Sequence, residues 1–474
     1  MTRSRSLVAA ALLLGGGCSL APRYQRPAPP VAAGWSAEAE ATAGGRAASA
    51  LGWRDVFKDP RLQAIVALAL RENRDLRVAA LNVELTRAQY RIERADQVPS
   101  LGASGSATRR HVGDDLSPTG VPTTTTTWTV GLGVTAFELD FFGRVRSLSD
   151  AALEQFLATE EARRTAHLSL VAEVATQYLT LLALDDQVEL ARRTLEAVES
   201  SSALARRTFE AGRTSELDVS TAEAQLQTAR FNLSAARLQR ARAESALILL
   251  VGAPLPADLP QPQRLDAQEL VADLPPGVPS EVLLRRPDVL GAEHALRSAN
   301  AVIGAARAAF FPSISLTGFA GTSSAELSGL FGHGAGLWSF APQLNLPIFA
   351  GGALRANLDA SEVRKSIQVA RYERAIQAAF REVSDALVAK ASLDEQLEAQ
   401  RARVAAEQKR YDLSELRYAR GVDSYLGVLQ AQRDLFTAHQ LLIQSRLSRL
   451  SNLILLYRAL GGGWIEGAIP SAGG

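Results

Sequence analysis

Two long stretches of this chain contain neither glycine nor proline, residues 144–211 and 353–420. Both are built mainly from Ala, Leu, Glu, Arg and Gln, residues that favour helix at nearly every position. A helix of that length reaches roughly 100 Å, far beyond an ordinary globular helix. Each stretch stops at a glycine, Gly212 or Gly421, and a second helical run follows. The pattern predicts two long helical hairpins, 144–251 and 353–460. The two turns align at an offset of 209. Phe209 falls on Tyr418, Gly212 on Gly421, Ser215 on Ser424, Leu217 on Leu426 and Ala222 on Ala431. At an offset of 213, Pro99-Ser100 falls on Pro312-Ser313. The chain is a tandem repeat of about 210 residues.

The order of segments follows from local signals. Arg3 and Arg5, the apolar run Leu7–Leu14 and Gly15-Gly16-Gly17 predict a signal peptide over 1–17. The one cysteine of the chain, Cys18, lies directly after it. That placement suggests acylation at a mature N-terminus; ordinary cleavage beside an incidental cysteine is the alternative, and Gly15 stands where lipoprotein signals usually carry Leu. Residues 18–58 are rich in Pro, Ala and Gly and predict a tether. Repeat 1 spans 59–251 and opens on a helix capped by Asp59, with Pro60 in its first turn, running to about Gln97. Residues 252–279 form a proline-rich crossover, repeat 2 spans 280–460, and 461–474 is a short tail.

After Pro99, and again after Pro312, the period changes to two. Leu101, Ala103, Gly105 and Ala107 alternate with Gly102, Ser104, Ser106 and Thr108. Trp128, Val130, Leu132 and Val134 alternate with Thr127, Thr129, Gly131 and Gly133. Trp338, Phe340, Pro342 and Leu344 repeat the pattern in the second copy. These are strands with one apolar face, in hairpins over about 100–137 and 313–346. Their length suits a tilted crossing of a bilayer, with Trp128 and Trp338 as interfacial residues. A soluble hairpin packed on one face has the same periodicity. Four strands cannot close a barrel, so a membrane reading requires several chains to complete one ring.

Composition narrows the classes. Lys plus Arg is 51 and Asp plus Glu is 50, so no net field draws the chain to nucleic acid. A single cysteine permits no internal disulfide. Five scattered histidines make no His-x-x-x-His pair, and no catalytic triad, paired acid and base or metal spacing stands out. Gly332-x-Gly334-x-Gly336 precedes a strand, which excludes a phosphate loop. No enzyme and no cofactor is expected.

Several segments carry a family resemblance. They are Cys18-Ser-Leu-Ala-Pro-Arg-Tyr-Gln-Arg-Pro27, Leu283-Leu284-Arg285-Arg286-Pro287-Asp288-Val289 with Ala292-Glu293, Phe310-Phe311-Pro312-Ser313, and Arg417-Tyr418 through Gly421-Val422-Asp423-Ser424-Tyr425-Leu426. Over about residues 18–465 the chain resembles the outer-membrane factors of the TolC and OprM type, in the lipoprotein NodT/OprM branch. The resemblance implies a mainly α fold with membrane β. Three chains would form a homotrimeric 12-stranded β-barrel, four strands per chain, continuous with a long periplasmic α-helical barrel and an equatorial belt. It implies an exit duct in the outer membrane of a Gram-negative bacterium, anchored in outer-membrane lipid. An inner-membrane RND-type pump would deliver cargo through a periplasmic adaptor, a membrane fusion protein. A type I secretion channel uses the same body, and a poreless periplasmic scaffold is the rival from another class.

The site expectations concentrate at the turns. Asp423, whose repeat partner is Thr214, belongs to one copy only. Three such carboxylates near one axis would raise one another's pKa and form an acidic aperture. The alternative is a turn residue capping the returning helix. The resemblance implies that Tyr418 and Arg417 help hold a closed periplasmic gate; an ordinary interhelical aromatic and a solvated charge are the plain alternatives. Gly212, Ser215, Leu217, Gly421, Ser424 and Leu426 make the surface the family offers to adaptor tips. The glycines also suit positive φ at a helix end. Arg286, Pro287 and Asp288 read as a structural helix start. Gly427 and Gln430 stand where TolC carries acidic rings.

Overall fold

The computed structural model describes residues 19–32, 34–35, 48, 51–118, 120–270 and 285–463. The expected signal peptide, Cys18, parts of the expected tether and crossover, residues 280–284 and the end of the tail lie outside the described residues. The elements in order are α1 (Trp53–Val56), α2 (Pro60–Glu72), α3 (Arg74–Ala95), β1 (Leu101–Val112), β2 (Thr123–Leu139), α4 (Arg144–Glu210) and α5 (Glu216–Val251). They continue with α6 (Pro287–Ala308), β3 (Ser313–Ser324), β4 (Gly336–Asn345), α7 (Ala353–Ala419) and α8 (Tyr425–Ala459). The helices α4 and α7 are each 67 residues long.

The helix expected from 60 to about 97 is broken once, at Asn73. This residue is extended (φ −61°, ψ 131°). Its Oδ1 accepts from Leu76 N at 2.7 Å and so caps α3, while its Nδ2 donates to Leu250 O at 2.7 Å. A short amide side chain that can satisfy backbone groups outside the helix competes with the helix itself. At the start of α2, Asp59 Oδ1 accepts from Arg61 N at 2.8 Å. Its Oδ2 accepts from Tyr178 Oη at 2.8 Å and Gln268 Nε2 at 2.7 Å.

The four strands form one antiparallel sheet in the order β1-β2-β3-β4. The two hairpins are therefore joined through β2 and β3, one strand from each repeat. The register sets two unlike faces. One carries Leu101, Ala103, Val130, Leu132, Val134, Phe137, Leu316, Trp338, Phe340 and Leu344; the other carries Ser104, Ser106, Thr127, Thr129, Ser315, Thr317, Ser339 and Gln343. The ladder shifts between Val134 and Phe137, where Ala136 has φ 50° and donates its N–H to Thr317 Oγ1 at 3.1 Å. This bulge keeps Phe137 on the apolar face. On the polar face Phe319 lies across two glycines. A Cβ at Gly131 would stand 2.6 Å from its ring and 2.5 Å from Ala320 O.

The chain forms two compact units, and each mixes both repeats. The described residues of 19–28, 82–160 and 291–373 make one, which holds the sheet; those of 29–81, 161–290 and 374–463 make the other, which is helical. In the helical unit Trp53, Phe57, Ile65, Tyr178, Leu247, Val383, Ile454 and Tyr457 form one core. Tyr457 Oη donates to Leu51 O at 2.7 Å, and its ring meets Phe57 edge-on at 6.3 Å. The repeat survives in the polar links. Arg240 pairs with Asp185 in the first hairpin, and Arg449 with Asp394 at the matching positions of the second. Gln177 Nε2 donates to Ala243 O in the first hairpin, and at the equivalent pair the roles reverse, Asn452 Nδ2 donating to Ala386 O, each at 2.9 Å.

Candidate functional sites: the paired turns and the open sheet

The two long helices end in the same way. Gly212 (φ 67°) donates to Phe209 O at 2.8 Å, and Arg213 N donates to Thr208 O at 2.9 Å. Gly421 (φ 73°) donates to Tyr418 O at 2.9 Å, and Val422 N to Arg417 O at 3.0 Å. Both are Schellman turns, in which a left-handed residue closes the helix. The helices that follow start differently. Ser215 and Asp218 make a reciprocal capping box on α5. Ser424 precedes α8 without a side-chain cap, and Gly427, at the position of Asp218, has no carboxylate for the return half of a capping box.

Asp423 is not a helix cap. It lies one residue before Ser424, and its carboxylate accepts from Arg417 Nε at 2.5 Å and Nη2 at 3.1 Å. Two of the three gate candidates, Arg417 and Asp423, are thus one bidentate pair within a single chain. The hydrogen bond from Arg417 holds the Asp423 carboxyl below its ordinary range, the opposite of the rise expected from clustered carboxylates alone. Tyr418 packs against Tyr425 with ring centroids 5.3 Å apart. Together with Tyr411 the rings border a buried cluster of Ala205, Ala222, Val428 and Leu429, which joins the two hairpin ends. Burial, then nearby Asp218, raises the Tyr418 hydroxyl; burial, then Tyr418, pushes Tyr425 up to about 12. Outside this cluster, Leu217 is 74% exposed and Leu426 58%, each in the first turn of its returning helix. Val422 is exposed beside them.

The second candidate is the sheet. The outer edges of β1 and β4 are unpaired among the described residues, and its apolar face is open: Leu101, Leu132, Trp338, Phe340 and Leu344 are all exposed. Trp128 and Trp338 both lie on that face. Trp128 is in register with Ala107 and Ser324 near one end, and Trp338 with Ala320 nearer the middle.

Two arrangements escaped sequence reasoning. In the first, residues 19–26 lie along α6. Glu293, its side chain 3% exposed, accepts from Tyr24 Oη at 3.1 Å, Arg26 Nε at 3.0 Å and Nη2 at 2.8 Å, and Arg297 Nη2 at 2.8 Å. Asn300 Nδ2 donates to Pro22 O at 2.7 Å, and a Cβ on Gly304 would stand 2.8 Å from Ala21 N. Followed back from Arg26 to Ala21, the segment approaches the end of α6 that enters β3. In the second, Arg286 is buried against Asp288 at 2.7 Å and Glu382 at 2.9 Å and donates to Ala459 O, while Pro287 opens α6 as expected. Asp288 and Arg297 are local partners, but Tyr24 and Arg26, and Glu382 and Ala459 O, are far away in sequence, so neither cluster was legible as a whole.

Comparison with known proteins extends the same picture. The family described as outer membrane efflux protein matches residues 65–253 and 278–462, one match for each repeat. The toluene efflux pump outer membrane protein TtgC of Pseudomonas putida is 50% identical over 98% of this chain and 97% of its own length. Outer membrane protein OprJ of Pseudomonas aeruginosa is 46% identical over 95% of this chain and 94% of its own. The crystal structure of the open state of the MtrE outer membrane channel of Neisseria gonorrhoeae superposes with a TM-score of 0.87 at 41% identity, covering 95% of this chain and 100% of that one. An open apolar sheet, two Schellman-closed helical hairpins and these matches along both repeats make the chain a member of the outer membrane efflux protein family, an outer-membrane channel of an efflux system.

Proposed function

We propose that three copies of this chain close a 12-stranded barrel and form a passive exit duct, with the helical hairpins extending into the periplasm. The observation that carries this reading is the four-stranded sheet with one exposed apolar face and two unpartnered edges. Unpaired backbone groups are not tolerated in lipid, so the β1 edge of one copy must be met by the β4 edge of the next, a head-to-tail contact that closes a ring. The duct needs no catalytic group, since an inner-membrane RND-type pump drives cargo through a periplasmic adaptor into it. The adaptor docks on the turns around Gly212, Ser215 and Leu217 and around Gly421, Ser424 and Leu426, where exposed Leu217 and Leu426 offer apolar anchors. The toluene-pump name of one relative fits small organic compounds as cargo.

Asp423, Arg417 and Tyr418 form the gate at the periplasmic tip. The bidentate Arg417–Asp423 pair and the Tyr418–Tyr425 packing support it, because both tie the turn to its own helices and so hold the tip narrow. Acylation at Cys18 adds a second membrane anchor; the placing of Ala21 and Pro22 nearer than Arg26 to the sheet end of α6 supports it. The deciding experiment is single-channel conductance of the purified protein in a planar bilayer, wild type beside Asp423→Ala. A small, flickering conductance that rises in the variant is expected. Conductance unchanged by the substitution refutes the gate, and inserted trimers that conduct in neither form refute the duct.

A further inference from the structure

We propose that Arg109 and His111 bind the phosphates of outer-leaflet lipid headgroups, that is, of lipopolysaccharide, at the outer rim of the barrel. The inference rests on the reading of the apolar face as lipid-facing. The register assigns heights on that face. Starting from the end where the sheet joins α4, α6 and α7, successive rows carry Leu139, Ile314 and Leu344; then Phe137 and Leu316; then Leu101, Val134 and Phe340. Above them come Ala103, Leu132 and Trp338, then Val130, then Ala107 and Trp128. From Leu139 to Trp128 the strand covers roughly 36 Å, or roughly 28 Å of height at a barrel tilt. That matches the apolar band of an outer-membrane barrel, about 25 Å tall. Trp128 then stands at its upper border, where interfacial aromatics gather.

The next two rows on the same face are Arg109 with Thr126 and His111 with Thr124. The side-chain chemistry changes within one step from apolar to cationic and hydroxylic. Arg109 lies only about 7 Å along the strand above the tryptophan row. This is the depth of headgroup phosphates, which a guanidinium can grip bidentately. His111 is held on the face by Thr124, its Nδ1 2.9 Å from Thr124 Oγ1. Among the described residues no carboxylate pairs with Arg109, although Asp114 and Asp115 follow in the next turn. Arg110, between the two, points to the polar face and supplies a control of equal charge.

The test uses the full-length oligomer in detergent, titrated with bisphosphorylated lipid A, with dephosphorylated lipid A and with inorganic phosphate, and reads the heat-dissociation midpoint. Wild type should be stabilised by the bisphosphorylated lipid alone. Arg109→Ala should weaken its apparent affinity about fivefold, Arg109→Ala with His111→Ala further, and Arg110→Ala little. Equal stabilisation by dephosphorylated lipid, an equal loss in Arg110→Ala, or the same shift from inorganic phosphate would overturn the proposal while leaving the barrel intact. Failure of wild type to form a heat-resistant oligomer under any condition would remove the barrel reading and this proposal together.

Discussion

Replacing Glu293 with Ala should release the N-terminal segment from α6. The carboxylate accepts from three side chains, Tyr24, Arg26 and Arg297, and is 3% exposed. Removing one partner of a fully buried ion pair costs about 3–5 kcal/mol. Here Arg26 and Arg297 are 43% and 37% exposed, so water recovers part of that loss. A net cost of about 2 kcal/mol follows, or about thirtyfold in the docking equilibrium. Trypsin reads this directly at the Arg23–Tyr24 bond, since the Arg26–Pro27 bond resists it. If opening is fast, cleavage tracks the open population and should accelerate about thirtyfold. The pH dependence has a fixed sign. Burial raises the Glu293 carboxyl, but hydrogen bonds from Arg297 and Arg26 outweigh it and leave it below 4.5. The stabilisation is therefore complete above about pH 4.5 and is lost as pH falls through the lower folded value. A spin label on Leu20→Cys should gain mobility over that window in wild type and be mobile throughout in Glu293→Ala. Unchanged cleavage at Arg23 in the variant would refute the reasoning.

Gly212→Ala and Gly421→Ala should each destabilise the helical hairpins by about 1 kcal/mol in denaturant unfolding, because Ala at positive φ is strained even where space is open; no change would refute the left-handed turn argument. Gly131→Ala places a Cβ 2.5 Å from Ala320 O and 2.7 Å from Gly321 Cα, and should reduce the heat-resistant oligomer recovered from membranes, whereas Gly102→Ala, with nothing within 4 Å, should not. Arg417→Ala frees Asp423 in every chain; reversal potentials in a KCl gradient should then shift toward cation selectivity, while Asp423→Ala should shift them the other way.

The helical hairpins were legible because Gly and Pro punctuate an otherwise uniform helix-forming sequence, and Gly212 and Gly421 close α4 and α7 for a backbone reason that local sequence states. Strand alternation was legible too, and register then sorted the same residues into an apolar and a polar face. The break at Asn73 was not, because Asn becomes a breaker only when Leu250 O is there to receive its amide. The Glu293 cluster and the Arg286 cluster were hidden for a related reason: Asp288 and Arg297 are local partners, but Tyr24 and Arg26, and Glu382 and Ala459 O, lie far away in sequence.

The tandem copies explain why fold and tip chemistry can be separated. A single repeat cannot bury its own helices, so Tyr178 and Leu247 of one copy meet Val383 and Tyr457 of the other in one core. That shared core keeps both copies alike, down to the matched Arg240–Asp185 and Arg449–Asp394 pairs. At the tips the constraint ends. Both turns are set by main-chain bonds from a left-handed glycine, which require nothing of the residues that follow. The first copy uses its freedom for a capping box, Ser215 with Asp218. The second has Gly427 in place of that acid and leaves its carboxylate, Asp423, outside the cap and paired with Arg417. Since neither a cap hydrogen bond nor the main-chain bonds of the turn depend on Asp423, replacing it should leave both helices of the hairpin folded, so a change in conductance in that variant reports on the lost Arg417–Asp423 tie at the aperture rather than on unfolding of the hairpin.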